Sequence, residues 1–523
     1  MSTLNADQQH AVDVALETGV STLVLGGPGT GKTHTLTHIC ASLLRAAHVA
    51  PDAICMLTFT RKAAREMEER LTRHLGASSG ITSGTFHSVA LHFLAHHCDL
   101  RLHLVEDDDV LLGQALHNVV SQREMPPFFH AASFKRELQR TRLRLECHPQ
   151  WQPRALHRQI LDEYRRLKLA AGCVDFHDLL VLMRQHMGKF PRVAYVLVDE
   201  FQDLNPIQIE IIRALHQRGT TVVAIGDDNQ TIYDFRGSDV RTILDFGSTF
   251  APAQQVVLGC NYRNPPQVVA LSERILGNLT QRIPREVHAQ GASGTVACHD
   301  HEEALARVLA HQGQGQFVLA RLRSTLADFA AVLRKRGVPY TLHEPLQMSP
   351  DYPLLLTLGY LRDGAVAAAT PYWRKVVGEE HDAADLATAL PPCAPSLWTA
   401  MQAAAAAPNL AAALEALAGH MDAQLVAKLQ HHAQQQPDVS LLTVLPEVSE
   451  SVVRGTGEGI ELMTVHQAKG LEAPIVHVLA LHTFRASDED YRVLFVAVTR
   501  TQKHLYLYHD RSRALKVRIL PLC

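Results

Sequence analysis

Eight residues, Gly26-Gly27-Pro28-Gly29-Thr30-Gly31-Lys32-Thr33, restrict the folds open to this chain more than any other stretch. They sit between an apolar run, Thr22-Leu23-Val24-Leu25, that reads as a buried strand, and a helical pattern from Thr35-Leu36-Thr37-His38-Ile39-Cys40 onward. Glycines at this spacing let successive backbone N–H groups point inward, and the helix N-terminus adds a dipole favouring negative charge. Strand, loop and helix in that order predict a parallel α/β sheet with a phosphate cradle at its edge. Gly27, Gly29 and Gly31 shape the cradle, Lys32 reaches the β- and γ-phosphates, and the Thr33 hydroxyl holds Mg²⁺. A glycine-rich turn of purely structural purpose needs none of these neighbours. The expected ligand is a nucleoside triphosphate.

At 523 residues the chain exceeds a single core and suggests several domains or subdomains. Its 46% hydrophobic and 20% charged residues are those of a soluble globular protein. The net charge of −3 does not advertise a nucleic-acid partner, so any such contact comes from a local groove. No stretch is apolar enough to span a bilayer, and no basic–apolar leader opens the chain, so no membrane role is expected. Nine scattered cysteines with no Cys-x-x-Cys pair suggest reduced thiols in a cytoplasm and argue against a zinc or iron–sulfur centre. His92 and His96 lie one turn apart near Cys98 but have no fourth ligand at metal spacing, so a plain helix face is the better reading.

Strand–helix alternation from Ser21 to Phe86 returns at Tyr195-Val196-Leu197-Val198 and Thr221-Val222-Val223-Ala224-Ile225. A second such system is expected to begin near Gln255-Val256-Val257-Leu258, to include Gln316-Phe317-Val318-Leu319-Ala320 and to resume at Ile460-Glu461-Leu462-Met463. Each is interrupted by a helical stretch. The expected first α/β domain covers 1–90 and 190–254, with 91–189 inserted; the second covers 255–360 and 455–523, with 361–454 inserted. Within the first insertion, Phe134–Arg140 and Arg158–Lys168 each place several cations on a helix, by default a solvated face.

Val198-Asp199-Glu200-Phe201-Gln202-Asp203 follows an apolar run, so its acids fall at the C-terminal edge of a strand, where parallel sheets bind ligands. Asp199 suits Mg²⁺, and Glu200 suits polarisation of the water attacking a γ-phosphate. Next comes Gly226-Asp227-Asp228-Asn229-Gln230-Thr231-Ile232-Tyr233-Asp234-Phe235-Arg236-Gly237. With Leu4-Asn5-Ala6-Asp7-Gln8, Thr58-Phe59-Thr60-Arg61-Lys62-Ala63-Ala64 and Thr85-Phe86-His87-Ser88, this set resembles the UvrD/Rep/PcrA family of superfamily-one DNA helicases. Asn261-Tyr262-Arg263, the run Leu462–Glu472 (LMTVHQAKGLE) and Phe495-Val496-Ala497-Val498-Thr499-Arg500 agree in order, from residue 4 to residue 500.

The resemblance implies two RecA-like motor domains, ATP and Mg²⁺ as cofactors, and single-stranded or tailed and forked duplex DNA as partner. It implies that Gln8 bonds the adenine edge, Tyr262 stacks on the adenine face and Glu472 contacts the ribose. Gln230 senses the γ-phosphate, while Arg263 and Arg500 act as arginine fingers. Phe59 and Phe235 stack bases; Arg236, His87, Thr464 and His466 touch backbone or bases. Departures exist: His34 stands where an arginine often packs on adenine, Asn229 replaces an aspartate, Asn264 a serine and Ala473 an aromatic residue. The second insertion is expected to be reduced, and the chain stops soon after Arg500, which is read as leaving no nuclease domain and no long tail.

Two readings of activity stay open. One is an autonomous helicase moving 3′ to 5′ and unwinding duplex, in repair, replication or phage defence. The other is a DNA-stimulated translocase that works with a partner such as a repair factor or the nuclease of a Gabija-type defence system. RNA also remains open as a strand to track. A nucleotide kinase does not fit, because it has no use for Arg263, His466 and Arg500 in a second α/β domain.

Overall fold

The computed structural model describes residues 4–76, 80–100, 103–105, 108–120, 152–170, 172–234, 237–343, 351–363, 395–421, 423–435, 440–442 and 459–510, with shorter pieces around 140, 372 and 512. The chain divides into two compact units. One holds the residues up to Cys98, Met183–His343 and those from Gly455; the other holds Asp99–Leu182 and Glu344–Arg454.

The first unit contains two parallel sheets. In the first, β1 (Ser21–Gly26), β2 (Ile54–Thr58), β3 (Thr82–Thr85), β4 (Tyr195–Val198), β5 (Thr221–Gly226) and β6 (Ala253–Leu258) run in the order β3-β2-β4-β5-β1-β6. Strands β1, β2, β4 and β5 are buried at every residue, as expected for strands covered on both faces. Helices α1 (Ala6–Ala15), α2 (Lys32–Arg45) and α3 (Arg61–Leu75) cover one face through Val12, Leu36, Ile39, Leu43, Met67 and Leu71. Because all strands are parallel, Gly26, Thr58, Thr85, Val198 and Gly226 end at one edge, so the loops that follow them converge.

The second sheet comprises β7 (Thr295–Asp300), β8 (Gln316–Ala320), β9 (Thr341–Leu342), β10 (Ile460–Thr464), β11 (Ala473–Val478) and β12 (Thr501–His509) in the order β7-β12-β11-β8-β10-β9. Helices Pro266–Leu276 and Asp488–Val498 share one core with it, and Ala304–Ala310 and Arg323–Lys335 share another. Both domains are thus α/β with parallel sheets.

One expectation fails here. The run Gln255–Leu258 does not open the second sheet: it lies in β6, which pairs with β1 from Ser21↔Ala253 to Gly26↔Leu258. An apolar run specifies a strand without specifying its neighbour, and β6 is an edge strand whose Gln254 and Gln255 face solvent.

The expected insertion boundaries also differ from the compact units. Helix Phe86–His97 stays with the first unit, burying Val89, Ala90, Phe93 and Leu94. Helix Tyr352–Arg362 belongs to the second, because YPLLLTLGYLR is apolar on every side and needs a surrounding core. Among its described residues that second unit is helical apart from a parallel pair, His103–Val105 with Cys173–Asp175. Tyr360 stacks on Tyr372 with centroids 5.5 Å apart, and Trp373 meets Trp398 at 5.0 Å.

The solvated-face reading of Arg158–Lys168 holds for Arg158, Arg165 and Arg166 but not for Lys168. Lys168 is buried against Asp175 at 2.7 Å and against Asp178, alongside Arg142, which is also 2.7 Å from Asp175. A buried ammonium requires paired carboxylates, and those partners come from a different element. Phe134–Arg140 lies largely outside the described residues. Cys40, Cys55, Cys98, Cys173 and Cys260 are free thiols, whereas Cys298 is disulfide-bonded, against the expectation of reduced thiols throughout. Among the described residues no helix is long and apolar enough to cross a membrane.

Candidate nucleotide and nucleic-acid site

The loop between β1 and α2 needs its glycines for space. Gly29 and Gly31 adopt φ of 73° and 82°. A Cβ on Gly29 would lie 2.4 Å from Arg263 Cβ, and one on Gly31 would lie 2.7 Å from Gln8 Nε2. Gly31 caps α2 with no side-chain bond, so the helix's first N–H groups face the loop. Thr30 Oγ1 donates to Gly27 O at 2.9 Å, and Lys32 Nζ donates to the same carbonyl at 3.4 Å. Thr33 is half-buried at the start of α2.

Gln8 is buried and already engaged. Its Nε2 donates to Thr30 O at 3.2 Å, and its Oε1 accepts from Asn5 N in a capping box at the start of α1. Asn5 Nδ2 donates to Tyr262 Oη at 2.7 Å, which holds a tyrosine that is 51% exposed beside the loop. His34, on α2, meets His38 edge to face at 4.5 Å, and His38 meets His74 of α3 in the same way. Burial, His74 and Arg70 lower the pKa of His34; burial, His34 and His74 lower that of His38 to about 4. His34 and His38 are therefore uncharged at neutral pH.

Asp199 and Glu200 follow β4, with Glu200 at φ 49° and its N–H donating to Asp199 Oδ1 at 3.0 Å. Burial and the Glu200 charge push the Asp199 carboxyl up to about 7. Burial opposes the Glu200 charge as well, but Lys32, Lys469, a 2.5 Å bond from Gln202 Nε2 and Arg500 hold its pKa below the ordinary carboxylate value.

Residues of the second α/β domain complete this cluster. Arg500 precedes β12 and is 1% exposed. It donates to Val496 O, Leu471 O and Thr499 Oγ1, and to Gln230 Oε1 at 3.4 Å. Lys469 Nζ donates to both Asp203 oxygens, at 2.8 and 2.5 Å, and to Gln230 O at 2.7 Å. Arg263 pairs with Glu472, which also accepts from Gln502 Nε2 at 2.8 Å. Asn264, fully buried, donates to Thr499 O and Thr501 O and accepts from Asn261 Nδ2, tying the Asn-Tyr-Arg turn to the start of β12.

An aromatic step lies beside Lys469. Phe59 stacks on Tyr233 with centroids 5.3 Å apart and planes at 17°, both half-buried. Lys469 Nζ sits 5.0 Å over the Tyr233 ring, and Tyr233 Oη donates to His466 O at 3.3 Å. Thr464 ends β10, its hydroxyl bonded to Gln467. His87 opens helix Phe86–His97 just past β3 and is half-buried. Phe235 and Arg236 lie outside the described residues.

The sequence reading assigned no role to Tyr233, Lys469, Arg285 or Asp203. Tyr233 and Lys469 stand inside motifs quoted above, so the signal was present. Arg285 has no local signature, since its partners Asp227 and Asp228 are over fifty positions away.

The glycine cradle and oxygen donors fit a magnesium-bound nucleotide. Among the described residues no three His, Cys, Asp or Glu side chains converge as a protein-only metal cage. Thr33 and Asp199 offer two oxygen donors, a number Mg²⁺ accepts when substrate phosphates and water fill its shell.

Two parallel-sheet domains meeting around a glycine-rich loop and paired acids define a P-loop α/β protein. Residues 4–251 match the family model of the UvrD/REP helicase N-terminal domain, and residues 459–508 that of the UvrD-like helicase C-terminal domain. The chain is 26% identical to DNA helicase II of Escherichia coli (strain K12) over 633 aligned positions, covering 98% of this chain and 85% of that protein. It is 25% identical to the ATP-dependent DNA helicase PcrA of Bacillus subtilis (strain 168), covering 98% and 84%. The chain belongs to the UvrD/REP helicase family. Both alignments are longer than this chain, so these relatives carry segments it lacks.

Proposed function

We propose that this protein is an ATP-driven motor that moves 3′ to 5′ along single-stranded DNA and separates duplex ahead of it. The observation carrying this reading is that Arg500 and Lys469, from one sheet domain, both reach Gln230, at the acid edge of the other. Hydrolysis at such a site is tied to how the two domains meet.

In this reading the loop N–H groups and Lys32 bind the phosphates, and Gln8 and Tyr262 bracket the base with His34. Thr33 and Asp199 hold Mg²⁺, which when bound offsets charge developing on the phosphate oxygens. Glu200, kept ionised by its cationic neighbours, takes a proton from the attacking water. Gln230 orients toward the γ-phosphate, and Arg263 and Arg500 supply positive charge from across the cleft. Arg263 would then leave Glu472 for phosphate, freeing Glu472 for the ribose. Phe59, with Tyr233 behind it, offers a base-stacking step, and His87, Thr464, His466, Phe235 and Arg236 contact the strand. Lys469 joins that step to Asp203 and Gln230, so stacking and hydrolysis share one buried ammonium.

The test measures ATP hydrolysis with and without single-stranded DNA, beside strand displacement from 3′- and 5′-tailed duplexes. Stimulated hydrolysis with displacement only from the 3′ tail is expected. Stimulation with no displacement favours the second reading, a translocase that needs a partner; the relatives' extra segments are the observation supporting that alternative.

A further inference from the structure

The turn after β5 contains two carboxylates with no assigned role. Asp227 and Asp228 are both fully buried, and Arg285, 4% exposed as a side chain, pairs with both of them. Ile283 N also donates to Asp228 Oδ2 at 2.8 Å, and Arg492 Nε donates to Asp228 O at 3.2 Å. Arg285 lies between helix Pro266–Leu276 and the strand at His288, in the second α/β domain, whereas both acids hang from the first sheet. Asp227 has another duty: its Oδ2 accepts from Gln230 Nε2 at 2.7 Å. That bond decides which way the Gln230 amide points. With Nε2 spent on the carboxylate, Oε1 faces the Arg500 guanidinium, which can only donate.

We infer that Arg285 is a positioning residue: by pairing with Asp227 it fixes the Gln230 amide with Oε1 toward Arg500, and it releases that orientation when the two sheet domains part. A buried carboxylate stays ionised only when paired. Without Arg285, Asp227 loses its buried cationic partner and turns away, Gln230 Nε2 loses its acceptor, and a rotated amide would set donor against donor at Arg500. Because Arg285 and Asp227 belong to different domains, the orientation exists only while the domains meet. This rests on the reading of Gln230 and Arg500 given above.

The test is a double-mutant cycle on ATP hydrolysis at saturating single-stranded DNA, using Arg285→Gln, Arg285→Lys and Gln230→Ala. Arg285→Gln is expected to lower kcat by roughly tenfold, the scale of coupling within one hydrogen-bond network. KM for ATP should hold within about twofold, because the phosphate loop is untouched. Arg285→Lys should recover part of the loss, a point charge still pairing with Asp227. In the Gln230→Ala background, Arg285→Gln should cost nothing more. Losses that multiply in that background, or a full-rate Arg285→Gln enzyme, overturn the inference while leaving the reading of the site intact. A Gln230→Ala enzyme that hydrolyses ATP at the full rate overturns that reading, and the inference with it.

Discussion

Arg500 and Gln230, 270 residues apart in the chain, meet at 3.4 Å, the guanidinium donating to the amide oxygen. Burial and the nearby Arg263 charge lower the Arg500 pKa to about 9, so it remains protonated at neutral pH. Four acceptors fix its fork, leaving it little freedom to move. Arg500→Ala should therefore lower kcat by about 10³–10⁵ with KM for ATP changed far less, the magnitude for an arginine finger. Arg500→Lys should not restore turnover, because one ammonium cannot reach Val496 O, Leu471 O and Gln230 Oε1 together. Steady-state hydrolysis with saturating single-stranded DNA measures both, and a lysine variant at the full rate would contradict the assigned role.

Glu200→Gln removes a carboxylate that Lys32, Lys469 and Arg500 keep charged, while keeping its shape and its place beside Gln202. Loss of a general base typically costs about 10²–10⁴ in rate. Turnover should fall by that much while a fluorescent ATP analogue still binds with little change. Surviving DNA-stimulated hydrolysis would move the base elsewhere.

Much of this site was legible because its determinants are local. A strand, a glycine loop and a helix occur within 25 residues, Ser21–Arg45, and the acids of Asp199 and Glu200 directly follow a four-residue buried strand. Partners fixed only by folding were not legible. Arg285 reads as one basic residue among many, yet it pairs with two buried aspartates. Lys168 sits on a helix rich in cations, and only the fold brings it to Asp175. The strand at Ala253–Leu258 was recognisable as a strand, but its pairing with β1 depends on the crossover, which hydropathy does not encode.

Phe59 is half-buried with one face on Tyr233, so its truncation removes a stacking surface without opening a deep cavity. Base–aromatic stacking contributes about 1–3 kcal/mol per base, so Phe59→Ala should weaken single-stranded DNA binding by roughly 5- to 150-fold. Hydrolysis without DNA should fall far less, since Phe59 reaches the hydrolytic groups only indirectly, through Tyr233 and Lys469. Fluorescence anisotropy with a labelled oligonucleotide reads the first effect and basal ATPase the second. An unchanged DNA affinity would assign Phe59 to packing alone.

His477 is fully buried in β11, its ring stacked on Tyr506 at 5.1 Å and its Nδ1 2.9 Å from Tyr508 Oη. Burial first, then the neighbouring His311 and Arg307, pushes its pKa down to about 3. Between that value and the ordinary histidine value of 6.5 the unfolded chain binds a proton that the folded chain refuses. Stability is therefore fully present above the unfolded value and falls as pH drops below it, by up to about 1.4 kcal/mol per unit. His477→Gln keeps a polar group beside Tyr508 but does not titrate. On going from about pH 7.5 to about pH 5.5, the wild-type protein should lose roughly 1 kcal/mol more than the variant in urea unfolding. Parallel losses in the two proteins would mean that His477 accepts its proton without unfolding.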